Sequence, residues 1–173
     1  MTTSPGRRVP AEPPWGDAYG ASRAVEAGDF VFVSGCTALT GGGVQHEGDP
    51  YWQARTAFGV GLDALREFGL GVGDVVRTRM YLTHARDLEA VGRAHLEQFG
   101  AQRPAATLLV VSGFVDPRVL VEVELEAVRP SGGRPEPVPA GQADTAGQAD
   151  TADTAGQADT AGPGDRAEPG DRT

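Results

Sequence analysis

The sequence contains no lysine, no asparagine and no isoleucine, and all fifteen of its basic residues are arginine. Without lysine there is no Schiff-base nucleophile and no anchor for pyridoxal phosphate. The three missing residue types have AT-rich codons, which marks a GC-rich genome. A single cysteine, Cys36, rules out an internal disulfide. The three histidines, His46, His84 and His95, are scattered without a His-x-x-x-His pair, so no zinc site is expected. No apolar run approaches membrane-spanning length, and the opening MTTSPGRRVPAEPPWGDAYG lacks the apolar core of a signal peptide. A soluble cytoplasmic protein with no membrane partner is the expectation.

Hydrophobic residues make up 39% of the chain and are unevenly spread. Up to about Pro130, apolar runs alternate with turn signals. Beyond it, Val138 is the only large aliphatic residue and no aromatic occurs. Such a segment cannot bury enough apolar surface to offset its ordering entropy. The chain therefore divides into a Pro-rich, loose segment at 1–14, a folding domain at 15–130 and a disordered acidic tail at 131–173 that repeats QADTAG. Eight acids against three arginines in that tail supply −5 of the net charge of −9, leaving the domain only mildly acidic. Nucleic acid is not expected as a partner, because a phosphate-binding surface needs a basic patch.

Within the domain, Ser22–Glu26 and Phe30–Ser34 read as strands joined by Ala27-Gly28-Asp29, a hairpin link. Thr40–Gly48 reads as a flexible loop. Asp49 is placed to N-cap a helix with Pro50 at its first position, and Ala54, Phe58, Gly61, Leu62 and Leu65 recur at helical spacing. Strand Val75–Thr83 puts Val76, Thr78, Met80 and Leu82 on one face and Val75, Arg77, Arg79 and Tyr81 on the other. A second helix spans Leu88 to Phe99, with Leu88, Val91, His95, Leu96 and Phe99 near one stripe. Thr107–Val111 and Val119–Val128 are the last strands. The order β-β-α-β-α-β-β, with helices on one face of a mostly antiparallel sheet, predicts a two-layer α+β sandwich.

Few side chains point to chemistry. Gly69-Leu-Gly-Val-Gly73 follows a helix and precedes a strand, the wrong order for a dinucleotide loop, so it reads as a turn. Cys36 ends an apolar strand without a nearby triad pattern and reads first as a small buried residue. His95, on an apolar stripe, reads as a satisfied core histidine. Glu122, Glu124 and Glu126 share one strand face. They are either a solvated surface salted by Arg77 and Arg79, or the lining of an inter-subunit cleft in which one acid holds a water or a proton.

Several stretches resemble the Rid/YjgF family (reactive-intermediate deaminases): Ser22-Arg-Ala-Val25, Phe30-Val-Phe-Val-Ser-Gly35, Gly73-Asp-Val-Val-Arg-Thr-Arg-Met-Tyr81, Arg103-Pro-Ala-Ala-Thr107 and Val121-Glu-Val-Glu-Leu-Glu-Ala-Val128. They follow the family's order over nearly all of residues 15–130. The resemblance implies a chorismate-mutase-like fold and a homotrimer with a ligand cleft at each subunit interface. It also implies cofactor-free hydrolysis of imines and enamines to a ketoacid and ammonia. Carried over by position, Glu122 is the glutamate that positions the attacking water. Ser34, Gly35, Cys36, Tyr19, Arg23, Arg79, Arg93 and Thr107 are the candidate substrate-binding residues.

This chain also departs from the family pattern. The arginine that grips the substrate carboxylate is replaced by Ala106. The tyrosine of the first strand falls on Ala21, with Tyr19 two residues earlier, and the asparagine of the second helix falls on Arg93. Loss of a guanidinium–carboxylate fork predicts weak activity on small amino-acid-derived enamines, with Arg23, Arg79 or Arg93 as candidates for a relocated cation. The expected activity is that of a divergent hydrolase/deaminase or tautomerase acting on an imine, an enamine or a related intermediate. The alternatives are a non-catalytic small-molecule-binding trimer with a regulatory or protective role, and a tailoring enzyme in a specialised-metabolite pathway.

Overall fold

Strict alternation in VLVEVELEAV produces the strand around which the protein is built. In the computed structural model, which describes residues 6–12 and 15–130, the elements run in chain order as follows. They are β1 (Arg8–Pro10), α1 (Trp15–Tyr19), β2 (Ser22–Ala27), β3 (Phe30–Thr37), β4 (Leu39–Thr40), β5 (Gly43–Val44), α2 (Pro50–Arg66), β6 (Val75–Leu82), α3 (Leu88–Phe99), β7 (Ala105–Val110) and β8 (Val121–Val128). Six strands form one sheet in the order β1-β2-β3-β8-β6-β7, and β4 with β5 form a separate small hairpin. Only the β6–β7 pair is parallel. The acidic repeat expected at 131–173 lies outside the described residues.

The sheet is amphipathic along β8, as the sequence pattern requires. Val121, Val123, Leu125 and Ala127 are buried, and Glu122, Glu124 and Glu126 lie on the opposite face, half-buried. Helices α2 and α3 cover the apolar face. Gly61 of α2 sits so close that a Cβ there would meet Leu125 Cδ1 at 2.8 Å. Phe58, Leu62 and Leu65 of α2 and Val91, Ala94 and Phe99 of α3 complete the core. Asp49 caps α2 by accepting from the Trp52 backbone N–H at 3.1 Å, with Pro50 as the first helical residue.

Four details depart from the sequence expectations. Arg8–Pro10, inside the stretch expected to be loose, pairs antiparallel with β2 as an edge strand. In β6 the register slips between Val75 and Arg77, so Val75 is buried while Val76 is 44% exposed. One extra residue reverses the side-chain parity there. In α3, Leu88 and Leu96 are exposed rather than part of the buried stripe. Finally, the stretch Thr40–Gly48, expected as a flexible loop, holds most of the β4–β5 hairpin, which pairs Leu39 with Val44 and Thr40 with Gly43.

His95 satisfies the core-histidine expectation. Its Nε2 lies 2.9 Å from Oγ1 of the fully buried Thr78, and its ring packs against Phe58 and Phe99. Burial lowers its pKa from the ordinary value of 6.5, which favours the neutral imidazole.

Candidate functional site

The second register shift in the sheet organises the site. Val33 pairs with Leu125 and Cys36 with Val123, so β3 carries one residue more than β8 across Ser34-Gly35. The bulge turns Cys36 toward the helices, where it is completely buried, and presents the Gly35 backbone to the acidic face. The Glu122 carboxylate fills the space over Gly35. A Cβ on that glycine would stand 2.6 Å from Oε1 and 2.7 Å from Cδ. Only glycine permits this approach without displacing the carboxylate.

Glu122 is half-buried. Desolvation raises its pKa above the ordinary 4.5, the charge of Glu124 adds to the rise, and the charge of Arg23 opposes it. A carboxyl group tuned in that direction is suited to accept and return a proton. Arg23 reaches across from β2: its Nη1 donates to the Gly35 carbonyl at 2.7 Å and approaches Cys36 Sγ at 3.5 Å. Ser34 Oγ donates to the Arg23 carbonyl at 3.2 Å. Glu122, Gly35, Ser34 and Arg23 therefore form one cluster around the bulge.

The other acids of the β8 face are engaged in ion pairs. Arg79 contacts Glu126 at 2.7 Å and Glu124 at 3.3 Å, and Arg77 contacts Glu126 at 3.7 Å. Tyr81 donates its hydroxyl to Glu124 at 3.2 Å. This is the cross-strand pairing foreseen for Arg77 and Arg79. It leaves Glu122 as the acid of the row with no ion-pair partner among the described residues. Arg79 is held in this network.

Three further candidates stand differently from expectation. Cys36 does not line an open surface: it is fully buried, and burial pushes its thiol up to about 11, which favours the protonated form. Arg93 lies in the helical layer, with its guanidinium 4.2 Å from the centre of the Tyr51 ring, and is not brought to Glu122. Tyr19 ends helix α1 and is followed by Gly20 at φ +67°, so it stands off the first strand, where the family's tyrosine is expected. Thr107 is partly exposed on β7, opposite Arg79 on β6. Ala106 is exposed beside it, opposite Thr78, and brings no charge to the sheet.

Gln53 escaped the sequence reading. It is fully buried, its Nε2 donates to the Arg118 carbonyl at 2.9 Å, and its Oε1 accepts from the Leu120 N–H at 2.8 Å. It clamps the segment that enters β8 just ahead of Glu122. A glutamine on a helix otherwise rich in Ala and Leu was the available signal. A separate hollow of about 350 Å³, lined by His46, Trp52, Arg55 and Thr56, lies along α2 and does not include Glu122.

Known proteins share this fold. The sequence profile of the family described as Endoribonuclease L-PSP matches residues 16–129. An uncharacterised protein of Streptomyces coelicolor is 54% identical over 129 residues, covering 75% of this chain and 96% of that protein. A RutC family protein of Pyrococcus abyssi is 31% identical over 111 residues, covering 62% of this chain and 85% of its own length. Among solved structures, a member of the YjgF/YER057c/UK114 family from Mycobacterium tuberculosis superposes with a TM-score of 0.63 at 34% identity, covering 70% of this chain and 98% of that one.

Proposed function

The chain belongs to the Endoribonuclease L-PSP (YjgF/Rid) family, and on that premise we propose that it hydrolyses the carbon–nitrogen double bond of a reactive imine, or of an enamine after tautomerisation, with Glu122 positioning the water. The observation that carries this reading is Glu122 itself. It is half-buried, seated on Gly35 and outside the ion-pair network that engages Glu124 and Glu126.

The chemistry balances without a cofactor. Glu122 as carboxylate takes a proton from water while the oxygen attacks the imine carbon. The proton passes to nitrogen, giving a carbinolamine; its hydroxyl proton then moves by way of Glu122 to the amino nitrogen as the carbon–nitrogen bond breaks, and a carbonyl product and ammonia leave. An enamine first accepts a proton on carbon, a step the same carboxyl group can serve when protonated. A pKa moved upward toward neutrality suits both directions of transfer.

Members of this family commonly assemble as homotrimers, and we infer the same here. The sheet face opposite the helices exposes the stacked rings of Phe30 and Phe32, at 45% and 43%, and edge strand β7 exposes Leu109 and Val110. Such apolar surface suits burial against a second copy, which would also enclose Glu122 in a cleft. Among the described residues no helix is long and apolar enough to cross a membrane.

RNA, which the family's description names, fits this chain poorly. The acidic row of β8 and the net charge of −9 oppose a polyanion. A second reading, a non-catalytic trimer that binds a small molecule, is favoured by one feature: Ala106 stands where a substrate-gripping arginine is expected. Ammonia release from an imine generated in situ, measured for wild type and Glu122→Gln, separates the two. Loss of about 10²–10⁴ in rate supports general acid–base catalysis; equal rates overturn it.

A further inference from the structure

The site needs a cation if its substrate carries an acid group, and three arginines were candidates. Two are committed elsewhere: Arg79 bridges Glu124 and Glu126, and Arg93 covers the Tyr51 ring in the helical layer. Arg23 is different. It is partly buried, yet among the described residues it has no carboxylate at ion-pair distance. Its Nη1 is used by the Gly35 carbonyl and Cys36 Sγ, while Nε and Nη2 make no hydrogen bond among those residues.

A guanidinium in this state has a specific chemistry. Its Nε–Nη2 edge is a planar two-donor fork that matches a carboxylate. Partial burial without a counter-ion sacrifices solvation that an incoming anion would restore. The bond from Nη1 to the Gly35 carbonyl fixes the position of the fork, so little ordering is left to be done on binding.

Placement does the rest. Gly35 is shared: its carbonyl holds Arg23, and its Cα supports the Glu122 carboxylate. A small molecule lying over Gly35 would meet a cation at one end and a proton-transfer group at the other. In the sheet order, Ala106 on β7 lies two strands from β8 on one side, and Arg23 on β2 lies two strands from it on the other.

We propose that Arg23 is the anion anchor of this site, gripping a carboxylate next to the reacting carbon–nitrogen bond, so that the acid end of the substrate points toward β2 instead of toward β7. The assignment rests on reading Glu122 as the working carboxyl group of the cleft. It replaces the expectation that a chain with Ala106 has lost its grip on carboxylate substrates.

The test uses the full chain in its native assembly, with pyruvate as the probe and methyl pyruvate as its uncharged counterpart, titrated by calorimetry. Wild type is expected to bind pyruvate at least about tenfold more tightly than the ester, a bias in line with the strength of charge-assisted bonds. Arg23→Gln should erase that preference, and Arg23→Lys should keep part of it, since charge remains and the fork is lost. Equal or undetectable binding of both probes to wild type overturns the proposal without any variant. So does an Arg23→Lys protein that binds pyruvate as tightly as wild type, or a folded Arg23→Gln protein that retains the preference. Glu122→Gln removes a repelling charge and should keep or strengthen pyruvate binding. If its imine turnover equals that of wild type, the role of Glu122 falls, and with it the placing of the carboxylate beside the reacting bond; a pyruvate preference that Arg23→Gln still erases then locates the anion anchor at Arg23 independently of Glu122.

Discussion

Glu122 and Gly35 are in direct contact across β3 and β8: a methyl group on Gly35 would stand 2.6 Å from the Glu122 Oε1 atom. Gly35→Ala must therefore push the carboxylate aside. The displaced atoms are the end of a flexible side chain, so the folding cost should stay at about 1 kcal/mol. Turnover should suffer far more, by about tenfold to a hundredfold, because misplacement of a reacting group by about 1 Å has that effect. Thermal melts beside initial rates will show the split. A Gly35→Ala protein with wild-type rates would remove Glu122 from the chemistry.

His95 makes stability depend on pH. Burial lowers its pKa from 6.5, so the folded state binds fewer protons than the unfolded state in that range. Its contribution is present above 6.5 and is lost as pH falls through the lower folded value. Glu122 runs the other way: with its pKa raised above 4.5, its contribution declines as pH rises from that value. Denaturant titrations between about pH 8 and about pH 5 on wild type and on Thr78→Val/His95→Leu should show a loss on acidification that the double variant lacks.

The same pair yields a double-mutant cycle. His95→Leu alone strands the hydroxyl of fully buried Thr78 and should cost about 1–3 kcal/mol. Adding Thr78→Val should recover part of that loss, since neither polar group then remains. Additive effects would mean that the 2.9 Å contact contributes nothing.

Gln53→Leu keeps the volume of a buried side chain but leaves the Leu120 N–H and the Arg118 carbonyl without their partner. Destabilisation of about 2 kcal/mol or more is expected. Hydrogen exchange at Leu120 should accelerate ahead of global unfolding. Exchange at the wild-type rate would show that the clamp is not needed.

A chain ending at Pro130 should fold and assemble as the full chain does. Among the described residues, the buried hydrophobic core lies between Ala24 and Ala127, and Arg129 still holds Glu26 at 2.6 Å and the Phe68 carbonyl at 3.1 Å. Its stability should match within about 0.5 kcal/mol, and light scattering should return three copies for both lengths. A monomeric short form would show that residues 131–173 contribute to assembly.

Much of this protein was legible in one dimension. The alternation of Val121–Val128, the Asp49-Pro50 start of α2 and the Ala27-Gly28-Asp29 link are local signals, because period, capping and turn chemistry act over a few residues. They placed Glu122 on a face opposite the core. The candidate set around Ser34, Gly35, Arg23 and Glu122 came from a resemblance in motifs. What the sequence left undecided was settled by pairing between distant strands. The bulge at Ser34-Gly35 buries Cys36 and exposes Gly35 to Glu122, and the slip at Val76 sends that valine outward. A one-residue insertion in a ladder inverts parity, and nothing in the strand itself records it. Likewise, three arginines were equal candidates as letters. Only the packing of β8 against β6, and of α2 against α3, engaged Arg79 and Arg93 and left Arg23 beside Gly35 without a carboxylate partner among the described residues.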